Sequence, residues 1–107
     1  MNQKSDTIIL AENKEKVVPD GTELQVLDRK ELVVAIIALG FMPTKVIGEK
    51  YKVTFHFIPE EIEEISNKLL SNSPVLIDYH RLVWAEAYWQ NTITLWKSRK
   101  ELIGKNV

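Results

Sequence analysis

Two histidines and a group of carboxylates are the residues in this chain that could do chemistry. A metal site would need His56 and His80 together with a carboxylate such as Asp78. Nothing in the spacing brings positions 56 and 80 together. We therefore favour one histidine on a strand surface and one in the first turn of a helix, and we expect no metal site.

Catalytic motifs are also absent from the sequence. The stretch PEEIEEI (residues 59–65) holds paired glutamates that could do acid–base work. The same residues stand where the positive end of a helix dipole favours negative charge. No serine has a histidine at a recognisable motif spacing, and the four glycines form no phosphate loop. We expect a non-enzymatic protein without a catalytic residue or a cofactor.

Length and composition predict one small domain. The chain has 107 residues, of which 45% are hydrophobic, and no cysteine. Its longest apolar run, LVVAIIALGFM, is about half of the ~20 residues that a membrane span needs. The beginning MNQKSDTIIL lacks the apolar core and cleavage site of a signal peptide. These features predict a soluble, cytoplasmic protein that does not contact a membrane.

The first part of the chain, residues 1–28, is predicted to be an N-terminal β segment. DTIILAEN is typical of a short strand, and KVVPDGTELQVLD of a hairpin. Pro19 would set the first central residue of its turn, and Gly21 would accept a positive φ.

Residues 29–107 are predicted to form an α-β-β-α-α module. Asp28 would cap the first helix, which ends at Gly40. A hairpin follows, with Gly48-Glu49 as a two-residue turn and the alternating strand YKVTFHF, whose aromatic side would pack on the first helix. Pro59 opens the second helix, and Asp78 caps a long third helix over about residues 79–100.

The third helix carries two apolar stripes on a helical wheel, although a surface helix needs only one. The core stripe consists of Leu82, Ala85, Trp89, Ile93 and Trp96. Trp84, Tyr88 and Leu95 cluster about opposite, with Asn91 beside them. Either the N-terminal β segment covers this second stripe, or a partner does, which would be a second copy or another protein.

Basic residues are the other feature that could bind a partner. They lie on the predicted hairpin and near the C-terminus: Lys45, Lys50, Lys52, Lys97, Arg99 and Lys100. If they converge, several phosphate contacts become feasible. Acidic stretches alternate with the basic ones and the net charge is -1, which favours ordinary solubilising charge.

Residues 27–100 resemble a family of small proteins from bacteriophages and mobile elements of Gram-positive bacteria, a domain of unknown function. The matching features are the helix VVAIIALGF, the strand YKVTFHF, an acidic helix start, and Asp78 opening DYHRLVWAEAYWQNTITLWKSRK. Trp96 stands where that family has a leucine, and residues 1–26 fall outside the pattern. The resemblance implies a phage or mobile-element context in a bacterial host cell and no mechanism.

Together these features predict an α+β fold, with three helices packed on a β-hairpin and an additional N-terminal β segment. The expected function is that of a protein-binding or self-associating protein, which docks through the second stripe of its third helix. The alternative is a nucleic-acid-binding accessory protein that uses the basic residues.

Overall fold

Four strands and three helices make up the fold of the described residues. The structure is a computed structural model that describes residues 7–105, with side chains for residues 7–101. In chain order the elements are β1 (Ile8–Glu12), β2 (Gln25–Leu27), α1 (Lys30–Ala38), β3 (Lys45–Gly48), β4 (Val53–Phe57), α2 (Pro59–Leu70) and α3 (Tyr79–Lys105). The predicted α+β class is confirmed. Within residues 7–105, no helix is both long and apolar enough to cross a membrane.

The strands form one antiparallel sheet in the order β1-β3-β4-β2. Strands β3 and β4 are the central hairpin, with Val46 opposite Phe55 and Gly48 opposite Val53 on the side that packs on the helices. Residues in between point to the other side of the sheet, where Thr54 is nevertheless buried. Ile9 and Val26 on that side are 54% and 52% exposed.

The N-terminal hairpin predicted over residues 16–28 is wrong, because residues 16–20 form no strand and Gln25–Leu27 is the one strand in this stretch. β1 and β2 do not pair with each other but add to opposite edges of the central hairpin, β1 on β3 and β2 on β4. The predicted turn does exist, because the Thr22 N–H donates to the Pro19 carbonyl over 3.1 Å and Gly21 has φ +81°. Pro19 is the first residue of this turn instead of a central one, and the turn lies in a connection between the two edges.

Helix α1 forms the centre of the core. Its buried residues face all sides, as the continuous apolar run predicts, and it packs against both α2 and α3. Gly40 follows its end with φ +105°, and the Gly40 and Phe41 N–H groups close the last turn on the Ile37 and Ile36 carbonyls. The predicted Asp28 cap is wrong: Arg29 is the N-cap residue without a side-chain bond, and Asp28 lies 3.6 Å from the Lys52 ammonium.

The turn of the central hairpin is longer than predicted. Gly48 is still paired with Val53, and residues 49–52 form a four-residue loop closed by the Glu49 N–H on the Lys52 carbonyl (2.7 Å). The register therefore leaves Tyr51 in the loop, 83% exposed, while Val53, Phe55 and Phe57 are buried as predicted. Tyr51 does not belong to the packed aromatic side of β4.

Helices α2 and α3 begin as predicted. Pro59 lies in the first turn of α2, and Ile62 is fully buried against the core, with Ile65 and Leu69 partly buried. The Asp78 Oδ1 atom accepts hydrogen bonds from the His80 N–H (2.9 Å) and the Arg81 N–H (3.2 Å), which caps α3.

Candidate protein-binding face

The predicted core stripe of α3 packs on the sheet and α1. Ala85 is fully buried, and the Trp89 ring stacks on Phe55 of β4 with ring centroids 5.1 Å apart. Trp96 reaches the β3–β4 loop, where its indole N–H donates to the Glu49 carbonyl over 2.9 Å. Leu82 and Ile93 are partly buried against the same core.

Of the second predicted stripe, Tyr88 packs against the edge of the core, and the other three residues are exposed. We call its four residues, Trp84, Tyr88, Asn91 and Leu95, the aromatic face. Tyr88 is half-buried at the border of the core, and this burial raises the pKa of its hydroxyl. Trp84 and Leu95 remain 54% and 38% exposed, and Asn91 is also exposed. The Trp84 and Tyr88 rings stack with centroids 5.7 Å apart.

The N-terminal β segment covers this stripe only in part, at Tyr88. Tyr88 lines a pocket with Met42 and Pro43 and with the end of β1, so the chain itself covers part of that ring. Trp84, one helical turn earlier, is not covered in this way. The part of the aromatic face left open to a partner is formed by Trp84, Asn91 and Leu95.

A groove lies next to Trp84, between the end of α1 and the start of α3. We call it the α1–α3 groove. It encloses about 370 Å³ and is lined by Ile37, Ala38, Gly40, Met42, His80, Arg81 and Trp84. The lining is mainly apolar, and the polar side chains in it come from the first turn of α3. A groove of this size accepts one large side chain of a binding partner.

Sequence analysis named two residues of this groove, Trp84 in the second stripe and His80 as a candidate metal ligand, and missed the others. Ile37 and Ala38 belong to a helix predicted to be wholly buried, and Met42 belongs to a connection. Arg81 is three residues before Trp84, so both share one side of α3. The sequence offered two indications of the groove: this spacing of Arg81 and Trp84, and the predicted end of α1 at Gly40.

The basic residues separate into two groups. At the β3–β4 loop, the Lys100 ammonium donates to the Lys50 carbonyl (2.9 Å) and lies 4.3 Å from the Trp96 ring centre. Arg99, beside it, donates to the Ile9 carbonyl over 3.1 Å, and Lys97 is exposed on the same part of α3. Lys45 lies at the other end of β3, opposite His56 in the register, and Lys52 contacts Asp28.

The titratable residues considered for catalysis are not brought together. His56 lies on the sheet side away from the helices, 2.9 Å from the Thr54 hydroxyl, and its pKa is lowered by burial and then by Lys45. His80 lines the α1–α3 groove. Glu61 contacts Lys16 over 2.5 Å. Among residues 7–105, no group of three or more histidine, aspartate or glutamate side chains could hold a metal ion.

Comparison of the chain with protein-family models, with curated proteins and with solved structures finds no match, so the geometry described above is the basis for assigning a function.

Proposed function

We propose that this chain is a non-enzymatic binding protein that docks on another protein through the aromatic face of α3. The observation that carries the proposal is Trp84, which stacks on Tyr88 yet stays 54% exposed beside an apolar groove. Tryptophan and tyrosine are enriched at the centres of interfaces, where one residue can contribute ~2 kcal/mol or more. The sequence resemblance adds a phage or mobile-element context in the cytoplasm of a bacterial host.

Energetics support a binding role for this position. A rigid indole held by stacking loses little conformational freedom when a partner covers it, so little of the binding energy is spent on ordering it. Leu95 extends the exposed apolar surface along α3, and Asn91 between them offers an amide for orienting hydrogen bonds. The three side chains follow one side of a rigid helix, which keeps their geometry fixed.

The first prediction concerns peptides selected on the intact protein from a random peptide display library. We expect selected peptides to bind Trp84→Ser and Leu95→Ser at least about 10-fold more weakly than the wild type, because both variants remove exposed anchors. Titration calorimetry measures the affinities.

Leu70→Ser is the matched control, since Leu70 is 58% exposed at the end of α2 and lies outside the aromatic face. Its affinity for the peptides should equal that of the wild type. Peptides that bind all four proteins equally, or a library that yields no binder, would contradict the proposal.

A second candidate function, nucleic-acid binding, has one specific observation in its favour. Lys50, Arg99 and Lys100 converge at the β3–β4 loop, next to the Trp96 ring. The six basic residues do not form one surface, since Lys45 lies at the other end of β3 and Lys52 is paired with Asp28. A nucleic acid would therefore meet about three cations, which corresponds to weak, non-specific affinity.

The salt dependence of DNA and RNA binding tests this second candidate. About three phosphate contacts predict a slope near -3 for the logarithm of the binding constant against that of the salt concentration. The variant Lys50→Gln/Lys100→Gln should lower the slope, and Lys45→Gln should leave it unchanged. If no mobility shift occurs even at low salt, the basic residues serve solubility alone.

A further inference from the structure

The α1–α3 groove combines an apolar floor with a cation at its rim. Ile37, Ala38 and Met42 supply the floor, and Trp84 supplies a wall. The Arg81 guanidinium lies over the end of α1, where its Nη1 atom is 3.6 Å from the position that a Cβ at Gly40 would occupy. Because residue 40 is a glycine and has no side chain, the Arg81 guanidinium can lie at the entrance of the groove.

Arg81 has its hydrogen-bond donors available. Within the part of the chain that the structure describes, Arg81 makes a hydrogen bond through its backbone N–H and none through its side chain. No carboxylate of the described residues lies within salt-bridge distance of Arg81. Asp78, the nearest acid in sequence, uses an oxygen to cap the backbone of α3. A guanidinium with free donors next to an apolar groove matches a carboxylate attached to an apolar group.

The charged residues on the side of α3 that carries the aromatic face are positive, like Arg81. Glu86 is the one acidic residue between positions 79 and 99. It follows Trp84 by two residues, over which a helix turns by about 200°, so the Glu86 side chain points away from the aromatic face. Farther along the same side of the helix Arg99 adds a second cation. At the Tyr88 end, Glu12 is opposite Lys45 in the register of β1 and β3. The surface around the aromatic face is therefore cationic.

A second copy of the chain fits this surface less well. The four residues of the aromatic face are separated by 4, 3 and 4 positions, a spacing that is the same in both chain directions. Two antiparallel α3 helices could therefore place Trp84 of one copy against Leu95 of the other, and Tyr88 against Asn91. The same alignment sets His80 against Arg99 at both ends. This pairing gives neither Arg81 nor Arg99 a carboxylate, because residue 98 is serine and residue 80 is histidine, whereas an acidic partner gains attraction at the same positions.

From these observations we infer that the α1–α3 groove receives an apolar side chain from an acidic segment of a partner protein, with a carboxylate of that segment bound by Arg81. The inference rests on the proposed function and specifies the chemistry of its partner. The aromatic ring of Trp84 covers one side of the inserted group, and the remainder of the segment follows α3 toward Leu95.

Two small probes test the chemistry of the groove without the partner. N-acetylphenylalanine carries the apolar group with a carboxylate, and N-acetylphenylalanine amide is its neutral match. In two-dimensional NMR spectra of the labelled protein, both should shift the backbone signals of Ala38 and Gly40 and the indole signal of Trp84. We expect the carboxylate to bind about 3- to 5-fold more tightly, the range of a partly exposed ion pair.

The variant Arg81→Gln should abolish the difference between the probes while leaving binding of the neutral amide intact. Lys97→Gln, an exposed cation on the same helix but outside the groove lining, should preserve the difference. Equal affinities of the two probes for the wild type, or no shifts at the groove, would overturn the inference.

Other results separate this inference from the proposed function. Selected peptides that need Trp84 but carry no excess of acidic residues would leave the proposed function standing and refute the acidic partner. A molar mass that doubles with concentration in light scattering, and returns to that of a monomer in Trp84→Ser, would assign the surface to a second copy instead. Acidic selected peptides that compete with N-acetylphenylalanine would support both proposals.

Discussion

Replacement of Phe55 by alanine should lower the free energy of unfolding by about 3–5 kcal/mol, the range found when a large aromatic core residue is truncated. Phe55 is fully buried on β4, opposite Val46, and stacks on Trp89 of α3. Truncation leaves a cavity where the sheet meets the longest helix, and it removes the ring partner of Trp89, which adds to the loss. Urea unfolding followed by circular dichroism measures the change.

Tyr51→Ala is the control for this prediction. Tyr51 has the spacing of the buried aromatic residues in the strand pattern, yet it is 83% exposed in the β3–β4 loop. Its loss should change the free energy of unfolding by less than about 0.5 kcal/mol. A large effect at Tyr51 together with a small one at Phe55 would mean that the hairpin has a different register.

The substitution Gly48→Ala should cost about 1–3 kcal/mol of unfolding free energy, although alanine normally stabilises a strand relative to glycine. A Cβ at residue 48 would overlap Cδ1 of Trp96 and lie 3.2 Å from Cδ1 of Leu10. The indole cannot move away easily, because its N–H is bound to the Glu49 carbonyl. The same denaturation measurement applies.

A double-mutant cycle with Trp96→Leu separates this steric effect from a backbone effect. Trp96→Leu alone destabilises the protein, but it opens the space next to residue 48, so Gly48→Ala should cost less in that background. The coupling energy is expected to be about 1 kcal/mol or more, as found for residues in direct contact. Additive effects of the two substitutions would show that Trp96 does not pack against Gly48.

Local sequence patterns predicted the helices well. The start of α3 depends on the side chain of Asp78 and the end of α1 on the conformation of Gly40, and both act within a few residues. The failure at Asp28 shows the limit of such patterns. Its side chain lies near Lys52 of the β3–β4 loop, a residue far away in sequence, and does not cap the helix.

Strand pairing depended on contacts that sequence spacing does not contain. A turn at Pro19–Thr22 suggested a hairpin, but β1 and β2 join opposite edges of the sheet because the central hairpin offers two unpaired edges. The predicted two-residue turn at Gly48-Glu49 is in fact a four-residue loop. The register that pairs Phe55 with Val46 also pairs Gly48 with Val53, which keeps Gly48 inside β3.

The sequence pattern predicted the aromatic face of α3, but it did not predict the α1–α3 groove next to this face. Helical periodicity places Trp84, Tyr88 and Leu95 on one side of α3 whatever the rest of the chain does. Whether that side meets the chain or solvent depends on the tertiary structure: Tyr88 lines a pocket with Met42 and Pro43, whereas Leu95 is exposed. The α1–α3 groove requires two helix ends to meet, which is a property of the tertiary structure.

The edges of the sheet restrict how copies of this protein can stack. β2 has three residues, and β1 has a bulge between Ile9 and Ala11 that interrupts its ladder on β3. Neither edge presents the long, regular row of backbone groups that a foreign strand needs for templated growth into fibrils. Contacts between copies through the described part of the sheet are therefore limited to short, irregular edges.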